Sequence, residues 1–265
     1  MSSAHLVRTR YRPGERHDRH AHAYTSISIV LAGSLLERVG ATEETAGPLS
    51  VVVKPAGTEH ADVFGSAGAV LLRLHVAPEW LTELDDGSAA IGRWRWCQAP
   101  ATARWLLRLA ARTSDSACSI EDSVAECLGA LEGGAIASGS AADGAPPWLR
   151  QVHDRIRDER GRVVNVAVLA RDAGVHPVYL TRRFRRAYGC SIVAFGQAER
   201  VRQAAGAIAA TDAPLSAVAY GAGFADQSHL TRTFKSVAGM TPAAYRRLVR
   251  GPEVGIVQDG QPARP

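Results

Sequence analysis

The chain has 265 residues, of which 46% are hydrophobic, and its formal net charge at pH 7 is +5. The length permits two domains, and the apolar content is ordinary for a globular protein, which excludes a collagen-like or wholly disordered chain. No run approaches the roughly 18 apolar residues of a membrane span, and the polar N-terminus lacks the apolar core of an export signal, so we expect a cytoplasmic protein without a membrane partner.

The first third of the chain alternates apolar and polar residues as β-strands do. Three β-rich runs, SISIVLAGSLLERVG, LSVVVKPAGTEH and AVLLRLHV, lie within residues 5–76 and are separated by glycine and proline. They predict a small β-barrel or sandwich. Residues 78–132 change to helical spacing of apolar residues. We expect these helices to cover the barrel or, over residues 101–132, to form the seam of a homodimer.

Residues 133–147 (GGAIASGSAADGAPP) have the composition of a flexible linker. They separate a sensing domain, residues 1–132, from a helical domain, residues 148–250, and residues 251–265 are expected to be a disordered tail. The helical domain holds 17 basic and 7 acidic residues, whereas the rest of the chain is acidic on balance. We therefore expect only the helical domain to meet a polyanion.

The helical domain contains an internal repeat at an offset of about fifty residues. The segments VLARDAGVHPVYLTRRFRRAYGCSIVAF and AVAYGAGFADQSHLTRTFKSVAGMTPAAY share apolar, glycine, threonine and arginine positions. Each copy predicts a short helix, a brief turn and a second helix, which is a helix-turn-helix unit. Gly174 and Gly223 are expected to end the first helices. Ser191 and Thr241 are expected to cap the helices that follow each unit.

The second helix of each unit has two different faces. Leu180 with Phe184, and Leu230 with Phe234, are four residues apart and are predicted to face a core. A separate stripe in each helix is predicted to contact DNA: Val178, Thr181, Arg182 and Arg185 in the first unit, and Gln227, Ser228, Thr231, Arg232 and Lys235 in the second. Arginine binds guanine O6 and N7, glutamine pairs with adenine, and a threonine methyl meets thymine. Arg183, Arg186 and Lys235 are placed better for phosphates.

The segment between the units, SIVAFGQAERVRQAAGAIAAT, is rich in helix formers. About 20 residues at about 1.5 Å each span about 30 Å, close to the roughly 34 Å between successive major-groove faces of a duplex. A stiff helix of this length would hold both second helices on one side of DNA. Two alternatives are a basic stripe that is only a solvated face, and an architectural DNA binder without sequence preference. The recurrence of the stripe after matching turns disfavours the first.

Residues 150–248 resemble the AraC/XylS family of bacterial transcription regulators, most specifically in GFADQSHLTRTFKSVAGMTPAAYR. The resemblance implies a sequence-specific regulator that meets double-stranded DNA and, as an activator, RNA polymerase. It assigns base-facing positions to Val178, Thr181 and Arg182 in the first unit. In the second unit it assigns them to Gln227, Ser228, Thr231 and Arg232. Val178 stands where members often carry a larger or polar residue, which implies less discrimination by the first unit.

The N-terminal half resembles the cupin-type sensor domain that is attached to this family. The pattern G-x5-H-x-H-x3-E-x6-G maps onto Gly14, His20, His22, Ser26 and Gly33, with serine in place of glutamate, and the later P-x-G-x-x-H maps onto Pro55, Gly57 and His60. The implied architecture is α+β: a cupin-like barrel with flanking helices and an all-α domain with two helix-turn-helix units. The implied ligand is a small effector inside the barrel.

Three interpretations of His20, His22 and His60 stay open. Alternate residues of a strand project to one face, so His20 and His22 can both face the barrel interior. His60 would then complete a three-nitrogen site for divalent Zn, Fe, Mn or Ni, although Ser26 is a poor ligand. Alternatively, the three histidines contact an anionic effector or are structural. A metal-dependent cupin enzyme with a DNA-binding appendage is the runner-up function; we expect no enzyme, and no cofactor other than such a metal.

Overall fold

The structure of the chain is a computed structural model. It describes residues 4–82, 92–97, 100–112, 145–159 and 163–251. Most of the predicted linker, the predicted helical residues 113–132 and the predicted tail from 252 onward lie outside these ranges. In the described part of the chain, no helix has both the length and the hydropathy that crossing a bilayer requires.

The N-terminal half forms one seven-stranded antiparallel sheet. Its strands are β1 (Ala4–Tyr11), β2 (Arg16–His20), β3 (Thr25–Val39), β4 (Thr42–Ala46), β5 (Val51–Lys54), β6 (His60–Val76) and β7 (Arg95–Cys97). The order is β1-β6-β3-β5-β7, with β2 also paired to β6 and β4 to β3. The sheet is the small β domain predicted from residues 5–76.

The two long strands, β3 and β6, bend where their register shifts. The shifts lie between Val30 and Ala32 and between Gly33 and Leu35. Gly33 has φ +71°, and a Cβ there would lie 1.9 Å from the carbonyl oxygen of Gly68. Only glycine fits this approach of the two backbones. The bends allow each long strand to take part in both halves of the barrel.

The sheet buries both of its faces. The inner face forms an apolar cluster around Tyr11, Phe64, Leu71 and Trp96. The outer face packs against helices through a row of aliphatic side chains that are almost fully buried: Leu6, Ile27, Ile29, Leu31, Val51, Val53, Leu72 and Leu74. Because β3 and β6 are covered on both sides, they read as near-continuous apolar runs.

Nine helices complete the described residues: α1 (Pro78–Thr82), α2 (Pro100–Arg112), α3 (Pro147–Asp158), α4 (Val166–Asp172), α5 (Pro177–Tyr188), α6 (Ile192–Ala210), α7 (Leu215–Gly221), α8 (Gln227–Ala238) and α9 (Pro242–Arg250). The predicted helix-turn-helix units are α4 with α5 and α7 with α8. Between them α6 runs for 19 residues, or about 28 Å. The predicted spacer helix is therefore present at the expected length.

The two units belong to different apolar cores. The first unit packs with α3 and the start of α6 around Leu180, Phe184 and Phe195. The second unit packs with the end of α6, with α2 and with the outer face of the sheet, in one continuous cluster that contains Leu230 and Phe234. The barrel and the second unit thus share a core, which the sequence did not predict.

Polar contacts strengthen the junction between the barrel and the second unit. The buried hydroxyl of Tyr245 donates to the carbonyl oxygen of Leu31 on β3 at 2.5 Å. The guanidinium of Arg8 on β1 donates to the carbonyl oxygens of Leu248 and Gly251. These acceptors lie at the end of α9, where helical carbonyls lack partners within the helix. The end of α9 is therefore held by the edge strand of the barrel.

Helix α2 covers the first part of the segment predicted to form a dimer seam. Its Leu106 and Leu107 are fully buried in the core shared by barrel and second unit. The described part of that segment thus packs inside its own chain, as the alternative prediction of a barrel cover has it.

Candidate DNA interface and barrel pocket

The second helix of each unit, α5 or α8, starts at a side-chain cap. His176 Nδ1 accepts from the backbone N–H of Val178 at 3.3 Å, and Asp226 Oδ1 accepts from that of His229 at 2.7 Å. Both caps satisfy donors that a helix start leaves free. The turns before them contain Gly174 at φ +66° and Gly223 at φ +73°, as predicted. Both units thus fix the start of α5 and α8 in the same way.

The predicted stripe of the first unit lies on the surface. Val178 is 50% exposed, Arg182 and Arg185 are exposed, and Thr181 is half-buried. The Thr181 hydroxyl donates to the carbonyl oxygen of Pro177 at 3.1 Å and to that of Val178 at 3.0 Å. With its hydroxyl bound to its own helix, Thr181 offers a partner its methyl group.

The stripe of the second unit repeats this arrangement. Gln227, Ser228, Arg232 and Lys235 are exposed, and Thr231 is half-buried. The Thr231 hydroxyl donates to the carbonyl oxygen of Gln227 at 2.8 Å. The position-by-position match in exposure between α5 and α8 is the regularity expected if both helices do the same work.

The opposite faces of α5 and α8 are anchored as predicted. Leu180, Phe184, Leu230 and Phe234 are all 0% exposed. Among the described residues, no acceptor side chain or ion pair is recorded for Arg182, Arg185, Arg232 or Lys235. Their charges therefore face solvent, where an anionic partner can neutralise them. Of the arginines predicted to meet phosphates, Arg186 is exposed, but Arg183 is half-buried.

One exposed aromatic residue beside the first stripe was not predicted. Tyr179 is 50% exposed, and its ring lies 6.0 Å from the ring of Trp148 on α3. The signal was present in the sequence, since Tyr179 directly follows Val178 at the start of α5. Its second-unit counterpart, His229, packs edge-on against Phe224.

The three histidines singled out in the barrel lie together at the β2–β6 edge. His20 pairs in register with His60, and their ring centroids are 4.3 Å apart. The His22 ring lies 4.9 Å from that of His20 and 5.3 Å from that of His60. One expectation was wrong: β2 ends at His20, so His22 reaches the site from the following loop rather than as an alternate residue of the same strand. Ser26 lies elsewhere, opposite Lys54 and His75.

Burial keeps the innermost imidazoles neutral. His60 is 1% exposed, and burial is the main cause that lowers its pKa to about 4, helped by the charge of Lys54. Burial likewise lowers the pKa of His22 to about 4, with further contributions from His60 and Lys54. Neutral imidazoles offer a lone pair and a donor, which suits either a metal ion or a polar ligand.

Two buried carboxylates beside these histidines were missed from sequence. Glu37 is fully buried, forms an ion pair with Lys54 and accepts from Trp94 Nε1 at 2.5 Å. Asp62 is 2% exposed, and its Oδ2 lies 3.8 Å from His60 Nε2. Alternation along β6 places His60 and Asp62 on one face, and that two-residue spacing is the signal that could have found Asp62.

A cationic wall lies further along β6. Arg73 is half-buried, and its guanidinium carbon lies 5.0 Å above the ring of Tyr11, a member of the inner cluster. Tyr24 stacks on His75 at a centroid distance of 4.0 Å. Burial lowers the pKa of His75 to about 3. Within the described residues, Arg73 has no carboxylate partner, so this wall carries a net positive charge inside the barrel.

Comparison with known families divides the chain as the structure does. The AraC-like ligand binding domain matches residues 3–126, and a helix-turn-helix domain matches residues 169–248. The first match contains the histidines and Arg73, and the second contains both exposed stripes.

Curated relatives match over the C-terminal part of their own length. The arabinose operon regulatory protein of Escherichia coli K12 is 29% identical over 82 residues, which is 31% of this chain and 28% of the relative. The regulator GlxA of Rhizobium meliloti is 29% identical over 101 residues, 38% of this chain and 31% of the relative. Each alignment thus spans less than a third of the relative's length.

Two solved structures illustrate the similar proteins. The DNA-binding domain of AdpA, in complex with a target DNA, is 28% identical, with a TM-score of 0.36 over 38% of this chain and 95% of that one. ToxT from Vibrio cholerae, bound to an unsaturated fatty acid, is 12% identical, with a TM-score of 0.38 over 95% of this chain and 97% of that one. At such TM-scores neither likeness is evidence about this chain.

Proposed function

This chain belongs to the AraC family of DNA-binding transcription regulators, and we propose that it reads duplex DNA with the exposed stripes of α5 and α8. The observation that carries the proposal is the matched exposure of the two stripes on helices that are capped and anchored alike. The residues assigned to DNA are Val178, Thr181, Arg182 and Arg185 of α5, and Gln227, Ser228, Thr231, Arg232 and Lys235 of α8.

The two helices contribute unequally in this proposal. In α8, Gln227, Ser228 and Arg232 supply hydrogen-bonding groups that can distinguish base pairs in the major groove. In α5, Val178 and the Thr181 methyl offer apolar contacts suited to thymine, and Arg182 is the main polar group. The α6 span of about 28 Å approaches one turn of duplex, so both helices can enter successive major-groove faces.

Lys235 is assigned to a phosphate, and its removal is expected to act on all DNA sequences alike. Lys235→Ala should weaken binding to operator and random DNA by the same factor and reduce the slope of log K against log salt by about one unit. Binding measured by fluorescence anisotropy between low and moderate salt gives this slope.

Ser236→Ala is the matched control, because Ser236 is the exposed neutral neighbour of Lys235 on α8. It should leave both affinity and slope unchanged. A Lys235→Ala protein with the wild-type slope would contradict the phosphate assignment. Equal affinity of the wild type for operator and random DNA would favour the architectural binder instead.

We further propose that the barrel holds a small anionic effector at the cationic wall. The carboxylate or similar group would pair with Arg73, and the rings of Tyr11 and Tyr24 would flank the rest of the molecule. Burial raises the pKa of both tyrosines, so their hydroxyls stay protonated and can donate. An uncompensated cation in a partly buried site favours an anion because pairing offsets its desolvation.

Small carboxylates are expected to stabilise the protein where their neutral amides do not. Benzoate should raise the melting temperature and benzamide should not, since only the acid can pair with Arg73. Arg73→Gln should lose the effect, and Arg12→Gln, a change at an exposed arginine, should keep it. Equal shifts from acid and amide, or an unchanged shift in Arg73→Gln, would contradict the anion site.

The remaining assignments follow from the role of a regulator. We place the protein among binding proteins rather than enzymes, and in the cytoplasm with the DNA that it contacts. RNA polymerase is its further partner where the bound site lets it activate transcription, and a homodimer would use residues from the 101–132 segment.

A further inference from the structure

Two of the clustered histidines have their tautomers set by backbone carbonyls. Nδ1 of His60 lies 2.9 Å from the carbonyl oxygen of Thr58, and Nδ1 of His20 lies 2.7 Å from that of Asp18. A carbonyl oxygen only accepts, so in each neutral ring Nδ1 carries the proton and Nε2 keeps its lone pair. Metal-binding histidines are oriented in this manner, with the second ring nitrogen donating to a carbonyl or carboxylate.

The free lone pairs converge on one small volume. Ligand atoms of His20, His22 and His60 lie within 4.8 Å of one another, as do those of His17, His20 and Asp62 and those of Glu37, His60 and Asp62. Four ligands at about 2.1 Å from a tetrahedral ion are about 3.4 Å apart, so a small closure of these side chains completes a coordination shell.

Two atoms in this volume are buried without a hydrogen-bond partner. They are Nε2 of His60 and Oδ1 of Asp62, in residues that are 1% and 2% exposed. Leaving such groups unpaired costs free energy unless something binds them. Glu37 is already engaged by Lys54 and Trp94, whereas within the described residues Asp62 has no lysine or arginine partner.

We propose that His20, His22, His60 and Asp62 form a site for a divalent transition-metal ion that is part of the sensor. Imidazole nitrogens with one carboxylate favour ions such as Zn²⁺, Ni²⁺ or Fe²⁺ over Mg²⁺ and Ca²⁺. Asp62 supplies the carboxylate that Ser26 does not. The role as a sensor rests on the proposed function of the barrel, whereas the binding of metal rests on these four side chains alone.

Direct titration of the full-length, chelator-stripped protein tests the site. We expect one equivalent of Zn²⁺ by calorimetry, and with Co²⁺ a visible absorption band typical of a nitrogen- and oxygen-ligated ion. Asp62→Asn keeps the shape of the side chain, and His22→Ala removes a half-buried ring, so neither requires a large repacking. Each should weaken Zn²⁺ binding at least tenfold. His5→Ala, which removes a barrel imidazole outside the cluster, should not.

A folding measurement guards against indirect effects. Zn²⁺ should raise the melting temperature of the wild type and of His5→Ala, but not of Asp62→Asn. No stoichiometric metal in the wild type, or unchanged affinity in both Asp62→Asn and His22→Ala, would overturn the site. DNA affinity measured with and without Zn²⁺ is a separate result: binding of metal without any change in DNA affinity would keep the site and reject its part in sensing.

Discussion

Arg232→Ala is expected to reduce affinity for the operator by about 1–3 kcal/mol, roughly 5- to 150-fold, and to relax selection at one base pair. The guanidinium lies on the exposed stripe of α8 and has no acidic partner among the described residues, so the substitution removes a DNA contact without breaking a contact within the fold. Affinity for random DNA should fall much less. Competitive binding of operators that differ at single positions measures both effects.

Arg232→Lys separates base recognition from charge. Lysine keeps the positive charge but lacks the planar fork that binds guanine O6 and N7 together. We therefore expect the salt slope of the wild type with the relaxed selectivity of Arg232→Ala. If Arg232→Lys selects bases as the wild type does, or Arg232→Ala weakens operator and random DNA equally, Arg232 contacts phosphate and does not read a base.

Phe184→Ala and Phe234→Ala are expected to have equal chemistry and different consequences. Each removes a fully buried ring at the same place in its unit, and a loss of about 3–5 kcal/mol of stability is ordinary for such a change. The Phe184 ring belongs to the core of the first unit. The Phe234 ring belongs to the core that the second unit shares with the barrel.

Amide hydrogen exchange distinguishes the two outcomes. Phe184→Ala should lower protection in α3, α4 and α5 and leave the barrel strands as they were. Phe234→Ala should lower protection in α8 and also in β3 and β6, since one cooperative unit contains them. Identical exchange patterns in the two variants would contradict the division into two cores.

The shared core has a consequence for regulation. A ligand that orders the barrel acts on the same packed unit as α8, through Tyr245, Leu31 and the contacts of Arg8. The first unit has its own core and reaches the barrel chiefly through α6. Control by an effector therefore has a direct path to the second reading helix, and it alters the placement of the first.

The helical half was the more predictable half of the chain. The repeat exposed the register of the two units, and spacing alone separated Leu180 and Phe184 from Arg182 and Arg185. These features depend on residues close in sequence, where helical periodicity applies. The caps at Ser191 and Thr241 were also predicted, because their side chains act on the backbone three residues ahead.

The barrel site and the shared core depended on contacts that sequence spacing does not encode. Asp62 meets His20 and His60 through strand pairing, and a register irregularity in β2 lets His22 arrive from a loop. Lys54 and Glu37 are far apart in sequence and meet across the sheet. Likewise, nothing local in α9 announces that Tyr245 will bond to β3. Such pairings arise from tertiary packing of strands and helices, which only the fold reveals.

Selection of bound sequences from a random DNA pool tests the central claim that two matched helices read one duplex together. We predict an enriched site with two specified elements whose centres lie about 10–10.5 base pairs apart. The element contacted by α8 should be the more strongly conserved among selected sequences, and Arg232→Ala should erase one of its positions. A single specified element, or a pool that stays random after selection, would contradict the claim.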